Sequence, residues 1–338
     1  MIYPKFLKPG NTIGICAPSK GIDPEDTTFD TALNHLKNEG YNIVETENVR
    51  TGKSPSSDAR IRAKEFNELM KNDEIDFIYS ASGGDFLIEV LPYIDEESIR
   101  EKISNNKTKW FAGYSDPTSL LFYLTIKFDI ATLYGTNAGS FAQLELHDSL
   151  KNALKIIKGE IPVQESFLKC QRVSFEELIA NGEQGYILNT DVKWTTPNGE
   201  VDIEGRLIGG CIDCFVFYQG TRFDHTKQFI EKYKNDGIIW YFDNFALCAE
   251  DFYSELWTLR EAGWFEYAKG FVFGRTLMES SREGMTYEEA VIRALGKEVP
   301  IIMEADLGHV KPDFSLINGS IAHFKSKDGK GSLEMKLE

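Results

Sequence analysis

The sequence predicts an α/β protein built from two domains. Three observations carry that expectation. In the first third of the chain, short apolar runs alternate with amphipathic stretches at helical spacing, which is the pattern of a parallel sheet covered by helices. The chain has 338 residues, more than one hydrophobic core usually holds. In its second half a continuous apolar run, Gly237-Ile238-Ile239-Trp240-Tyr241-Phe242, repeats the signal of a buried strand.

The elements follow in order. Residues 13–18 form a short apolar strand that ends in the turn Pro18-Ser19-Lys20-Gly21. Residues 29–38 place Ala32, Leu33 and Leu36 on one helical face, and Gly40 stops the helix. A strand at 41–45 and a polar loop at 48–57 come next. The helix over 59–70 has Ile61, Ala63, Phe66, Leu69 and Met70 on its apolar side. The strand at 75–80 runs into Gly83-Gly84, where paired glycines allow positive φ and close approach of a ligand to the backbone. A tight turn before a helix near Leu87 explains the same pair.

Residues 109–113 read as the next strand. Pro117 suits the first turn of a helix carrying Leu120, Leu121, Leu124 and Phe128, with Ser115 or Asp116 as its cap. Gly113-Tyr114-Ser115-Asp116 must turn from strand to helix within a few residues. A serine there is lifted clear of the sheet, beside N–H groups able to hold an oxyanion. This resembles a nucleophile elbow, with Pro117 in place of the last glycine of the usual pattern; a plain helix cap is the other reading. A strand at 130–134 and a helix at 144–158 close the first domain, residues 1–160. Periodicity fades over 161–185, read as a linker, and residues 186–338 form the second domain.

In that second domain, β-like pieces at 186–188 and 201–207 lead to a Gly209-Gly210 turn that opens a helix through 217. The 237–242 strand stops at Asp243-Asn244, and a helix at 249–262 follows. A strand at 270–274, a helix at 287–295 and a strand at 299–303 lead to a loop containing His309.

Composition narrows the function classes. A formal net charge of -16 disfavours nucleic-acid polymers and anionic membranes as partners. No apolar run approaches the roughly 20 residues of a membrane span, and the N-terminus lacks the pattern of a signal peptide, so a cytoplasmic location is expected. The five cysteines are scattered, as reduced thiols are. Cys211-Ile212-Asp213-Cys214 is a lone C-x-x-C with no second pair to complete a zinc site; buried packing is favoured for it over redox work. No glycine-rich dinucleotide or P-loop motif supports a nucleotide cofactor.

A serine nucleophile needs a base and an orienting acid. Of the five histidines, His35, His147, His225 and His323 fall in helical, polar or strand-like stretches, and only His309 follows a strand in a glycine-containing loop. Asp243 is the candidate acid, with Glu250, Glu304 and Asp306 as competitors. The order Ser, acid, His also occurs in α/β-hydrolases.

Several stretches together resemble the LD-carboxypeptidase family of serine peptidases, and within it the microcin C immunity (MccF-like) branch. They are Cys16-Ala17-Pro18-Ser19, Ser82-Gly83-Gly84-Asp85, Leu91-Pro92-Tyr93-Ile94-Asp95, Gly113-Tyr114-Ser115-Asp116-Pro117-Thr118, Glu204-Gly205-Arg206-Leu207-Ile208-Gly209-Gly210-Cys211 and the region ending at His309. The resemblance implies an N-terminal Rossmann-like parallel-sheet domain with the nucleophile and a C-terminal mixed α/β domain with the acid and the histidine. It implies a homodimer without metal or organic cofactor. It further implies hydrolysis of an amide whose leaving group carries a free carboxylate, in a small murein-peptide-like or peptidyl- or aminoacyl-nucleotide substrate.

By the same resemblance Ser115 is the nucleophile, His309 the base, and the backbone N–H groups of Asp116 and Gly84 the oxyanion hole. The family usually carries glutamate where this chain has Asp243, so contact with the ring requires a shift of about 1.5 Å. Asp85 after the glycine pair resembles the immunity branch. Trp194 can stack on a nucleobase or pack at a domain interface, and Arg206 can pair with a substrate carboxylate or with a surface acid. The rival readings are a catalytically silent binding protein and an α/β-hydrolase esterase; the latter expects all three catalytic residues in one domain.

Overall fold

The structure, a computed structural model, describes residues 1–181 and 185–338. The chain forms two compact units, Met1–Glu160 with Val173–Gly185, and Ile161–Arg172 with Tyr186–Glu338.

The first unit holds five strands: β1 (Thr12–Cys16), β2 (Asn42–Glu45), β3 (Phe77–Ser80), β4 (Trp110–Gly113) and β5 (Thr132–Tyr134). They pair in parallel in the order β5-β4-β3-β1-β2. Every residue of β3 and β4 is buried, as expected of parallel strands covered on both faces. The helices are α1 (Thr27–Asn38), α2 (Ala59–Lys71), α3 (Glu96–Ser104), α4 (Thr118–Phe128), α5 (Asp148–Ile157) and α6 (Phe175–Asn181). A 3₁₀ turn, Leu87–Tyr93, follows the glycine pair. In an open sheet of this order, strand order reverses between β1 and β3, and ligands bind beyond the C-terminal strand ends at such a point.

Local physics explains each helix. Asp26 caps α1 by accepting from the Thr28 N–H, and Phe29, Ala32, Leu33 and Leu36 are buried. All of α4 but Lys127 is buried, which fits its uniformly apolar sequence. Two expectations are corrected. The buried face of α2 includes Arg62 in place of Ile61, which is 47 % exposed. Arg62 is tolerated there because its guanidinium donates to the carbonyls of Ser57, Pro18 and Phe86 and to Glu89. The helix expected from residue 144 begins at Asp148, where His147 Nδ1 accepts from the Ser149 N–H.

The second unit contains β6 (Gln164–Glu165), β7 (Lys169–Cys170), β8 (Thr190–Asp191), β9 (Val201–Cys211), α7 (Ile212–Phe215), α8 (Thr226–Lys232), β10 (Ile238–Asp243), α9 (Ala249–Glu261), β11 (Ala268–Gly274), α10 (Tyr287–Leu295), β12 (Ile301–Ala305), β13 (Leu316–Asn318), β14 (Ile321–Lys327) and β15 (Lys330–Lys336). Seven of these strands form one mixed sheet in the order β12-β11-β10-β9-β14-β15-β6. The first four run parallel, and β14, β15 and β6 extend the sheet antiparallel.

Here too an expectation is corrected. Gly209-Gly210 does not turn, because β10 runs alongside and pairs Gly209 with Tyr241 and Gly210 with Phe242. The strand therefore continues to Cys211, and only the short α7 follows. The register sets Cys211 directly opposite Asp243, the last residue of β10.

Glu255 on α9 is only 6 % exposed, and burial pushes its carboxyl up to about 7 from an ordinary 4.5. The folded state therefore favours the protonated acid. The unfolded chain ionises first, so stability falls as pH rises from about 4.5 through about 7. Glu255→Gln removes this cost. Thermal melts should show a higher Tm for the variant at pH 8 and a much smaller gain at pH 5, each kcal/mol being worth about 1–2 °C in a chain of this size.

Candidate active site

In the first unit, Ser115 lies between β4 and α4 with φ 69, the left-handed region that a non-glycine residue adopts only at a cost. The strand and helix on either side force that conformation, since only Tyr114 to Pro117 separate them. The Ser115 carbonyl accepts from the Thr118 N–H at 2.8 Å, which starts the helix. The Asp116 carboxylate accepts from Ser19 Oγ and from the Leu87 N–H at 3.0 Å. The Ser115 turn is thereby tied to the turns after β1 and β3. Burial raises the Asp116 carboxyl to about 6, partly offset by those two hydrogen bonds.

Gly83 packs against the serine: a Cβ there would stand 3.0 Å from Ser115 Cβ and 3.3 Å from its Oγ. Gly84 adopts φ 139, and its own Cβ would meet Ser19 Oγ at 2.7 Å. Asp85, next in the chain, is exposed, and its backbone carbonyl accepts from Ser19 Oγ at 3.2 Å. A cavity of about 280 Å³ opens here, lined by Asp26, Phe29, Ser82, Gly83, Tyr114 and Asn137. The structure thus brings Ser115, Asp116, Gly84 and Asp85 together at the C-terminal strand ends of one sheet.

In the second unit, Asp243 and His309 meet. Asp243 Oδ2 lies 2.7 Å from His309 Nδ1, and Oδ1 accepts from the His309 backbone N–H at 3.1 Å. The carboxylate is fully buried, and Phe245 packs on the imidazole with ring centroids 4.9 Å apart. The shorter acid therefore reaches the ring. Gly308 makes the approach possible: it adopts φ 93, and a Cβ there would fall 2.0 Å from Asp243 Oδ1.

The competing acids are engaged elsewhere. Glu250 accepts from Ser281 and the Arg282 and Glu283 N–H groups, Glu304 pairs with Arg172, and Asp306 pairs with Arg275. His323 lies against Asp202, and His35 against the Gln143 carbonyl.

Two expected binding residues have structural surroundings. Trp194 is 2 % exposed, donates its indole N–H to Asp306 at 2.9 Å and packs against Phe314. Arg206 pairs with Asp236 at 2.5 Å, donates to the Gly319 and Glu338 carbonyls and covers the Tyr233 ring. It is opposite Ile238, at the end of β10 away from Asp243. Sequence reasoning missed Ser19, Arg62 and Gly308. Ser19 stands in one of the stretches that carry the family resemblance and Gly308 in the loop of His309, both without an assigned role, and Arg62 is a charge in the middle of an apolar helix face.

Ser115 belongs to the first unit and Asp243 and His309 to the second, unlike the one-domain arrangement of an α/β-hydrolase. Among the described residues no helix is long and apolar enough to cross a membrane.

Comparison with known proteins agrees with this division. The N-terminal domain model of the LD-carboxypeptidases matches residues 13–135, and the C-terminal domain model matches residues 204–324. A Vibrio cholerae protein named as a carboxypeptidase is 28 % identical, over 92 % of this chain and 91 % of its own. The microcin C7 self-immunity protein MccF of Escherichia coli is 26 % identical, over 92 % of this chain and 89 % of its own. A solved MccF-like protein from Streptococcus pneumoniae, in complex with AMP, superposes with a TM-score of 0.80 at 24 % identity, covering 97 % of this chain and 99 % of that one. With both domain models matched in order and relatives aligned along nearly the whole chain, the protein belongs to the LD-carboxypeptidase family of serine peptidases.

Proposed function

We propose that this serine peptidase hydrolyses an amide through Ser115, His309 and Asp243. The observation that carries the reading is the left-handed Ser115 at a strand-to-helix junction with a glycine turn packed on its hydroxyl. The buried grip of Asp243 on His309 supports it from the other unit.

Ser115 Oγ attacks the scissile carbonyl and loses its proton to Nε2 of His309, the ring nitrogen not facing Asp243. Asp243 holds the tautomer with Nδ1 protonated and stabilises the imidazolium. The N–H groups of Asp116 and Gly84 receive the oxyanion in the tetrahedral intermediate. His309 returns the proton to the leaving amine, and water releases the acyl group by the same steps in reverse. The substrate we propose is a small acyl amide with an anionic leaving group. It is either a murein-type peptide with a terminal carboxylate or a peptidyl- or aminoacyl-nucleotide with a phosphoryl group.

Incubation with a murein tetrapeptide and, in parallel, with an aminoacyl sulfamoyl adenosine, with products read by mass, separates the two classes. Ser115→Ala should lower turnover by about 10⁴-fold or more while the protein stays folded, and should lose labelling by a fluorophosphonate. Turnover at the wild-type rate would end the mechanism. Gly308→Ala forces a methyl group against the Asp243 carboxylate, so kcat/KM should fall by about 10²-fold through displacement of the imidazole. Unchanged kinetics in a folded Gly308→Ala protein would show that the Asp243 contact does not position the base.

A further inference from the structure

The lone C-x-x-C lacks a second cysteine pair in sequence, but the fold supplies other ligands. Cys211 ends β9 beside Asp243, and the thiol of Cys211, the carboxylate of Asp243 and a ring nitrogen of His309 all lie within 4.8 Å of one another. Sulfur, oxygen and imidazole nitrogen are the donor types of three-ligand zinc sites, which leave a fourth position for water. In a tetrahedral site with ordinary zinc bond lengths these atoms stand about 3.5 Å apart, so a gap near the 4.8 Å limit closes by roughly 1 Å, and with Nδ1 as the ligand its 2.7 Å contact with Asp243 opens by a little less.

The charges around the cluster favour a cation. Asp213 Oδ2 accepts from Cys211 Sγ at 3.3 Å, and Asp213 is itself fixed by the Phe245 and Ala246 N–H groups at 2.9 and 3.0 Å. Asp313 is close enough to Asp243 and His309 to feel both charges, and it pairs with Lys311 at 2.9 Å. Asp213 thus lies at the thiol and Asp243 at the imidazole, with Asp313 and its partner Lys311 nearby.

We propose that Cys211, Asp243 and His309 form an inhibitory site for a thiophilic divalent cation such as zinc. On binding, the Cys211 S–H bond breaks, its proton leaves to solvent, and the thiolate, the carboxylate and the imidazole donate electron pairs to the metal. No oxidation is involved. Affinity rises with pH because a proton is released. The inhibitory effect rests on the proposed role of His309 as base, since a metal-bound imidazole cannot accept the proton of Ser115; the binding itself does not.

Cobalt(II) is the direct probe, because a thiolate ligand gives it a near-ultraviolet charge-transfer band whether or not the protein is active. The wild-type protein should develop that band at one cobalt per chain and lose it to zinc. Peptidase activity should fall with zinc and return with a chelator. Cys211→Ser should lose the band and need at least about tenfold more zinc for the same inhibition. Cys214→Ser should keep both, and His309→Gln, read by cobalt absorption alone, should bind more weakly. Circular dichroism checks that each variant is folded. Absence of the band in the wild type, or a band and zinc response unchanged in Cys211→Ser, would overturn the site. A normal band in a protein without peptidase activity would leave the metal site standing and remove the proposed function.

Discussion

The arrangement in the second unit depends on one buried carboxylate serving two partners. Asp243 holds the ring of His309 with one oxygen and the backbone N–H of the same residue with the other. Loop and imidazole are fixed together, so the ring keeps its position although it comes from a segment without regular structure. A carboxylate so deeply buried needs such partners, since removing one member of a buried pair costs about 3–5 kcal/mol. The stability of the β12-to-β13 connection and the orientation of the ring are therefore one quantity.

A different device operates in the first unit. The serine is held by backbone strain at a junction too short for a relaxed turn. The surrounding turns are locked by polar groups in the interior: Arg62 joins the carbonyls after β1 and β3, and Asp116 joins Ser19 to the start of the 3₁₀ turn. These contacts gather at the reversal of strand order between β1 and β3, where the sheet itself opens a crevice. The Asp116 carboxylate, its pKa raised toward 6 by burial, sits within that lock.

Much of this was legible from residue order alone. The alternation of apolar runs and helical faces located β1 to β5, and Pro117 marked the start of α4 to within a residue. Asp243 at the end of an apolar run and His309 after the next strands were legible because strand ends are where parallel sheets expose side chains. What failed did so for tertiary reasons. The glycines at 209 and 210 carry a turn signal locally, yet a neighbouring strand keeps them extended. Arg62 has no place in a helix face read from apolar residues, and only the fold brings three carbonyls onto it. Trp194 looked like a loop aromatic until Asp306 and Phe314 enclosed it.

The short strand β6 pairs with β15, so Gln164 is joined to Leu333 across nearly the whole second half of the chain. Vectorial synthesis delivers these two borders of one sheet at opposite times. Until the β14–β15 hairpin has been made, the early border has no neighbour and β9 lacks the β14 side of its ladder. Non-local pairing of this kind is slow and leaves sticky edges while it waits. The β14–β15 hairpin is thus a closing clasp, joining β9 on one side to β6 on the other.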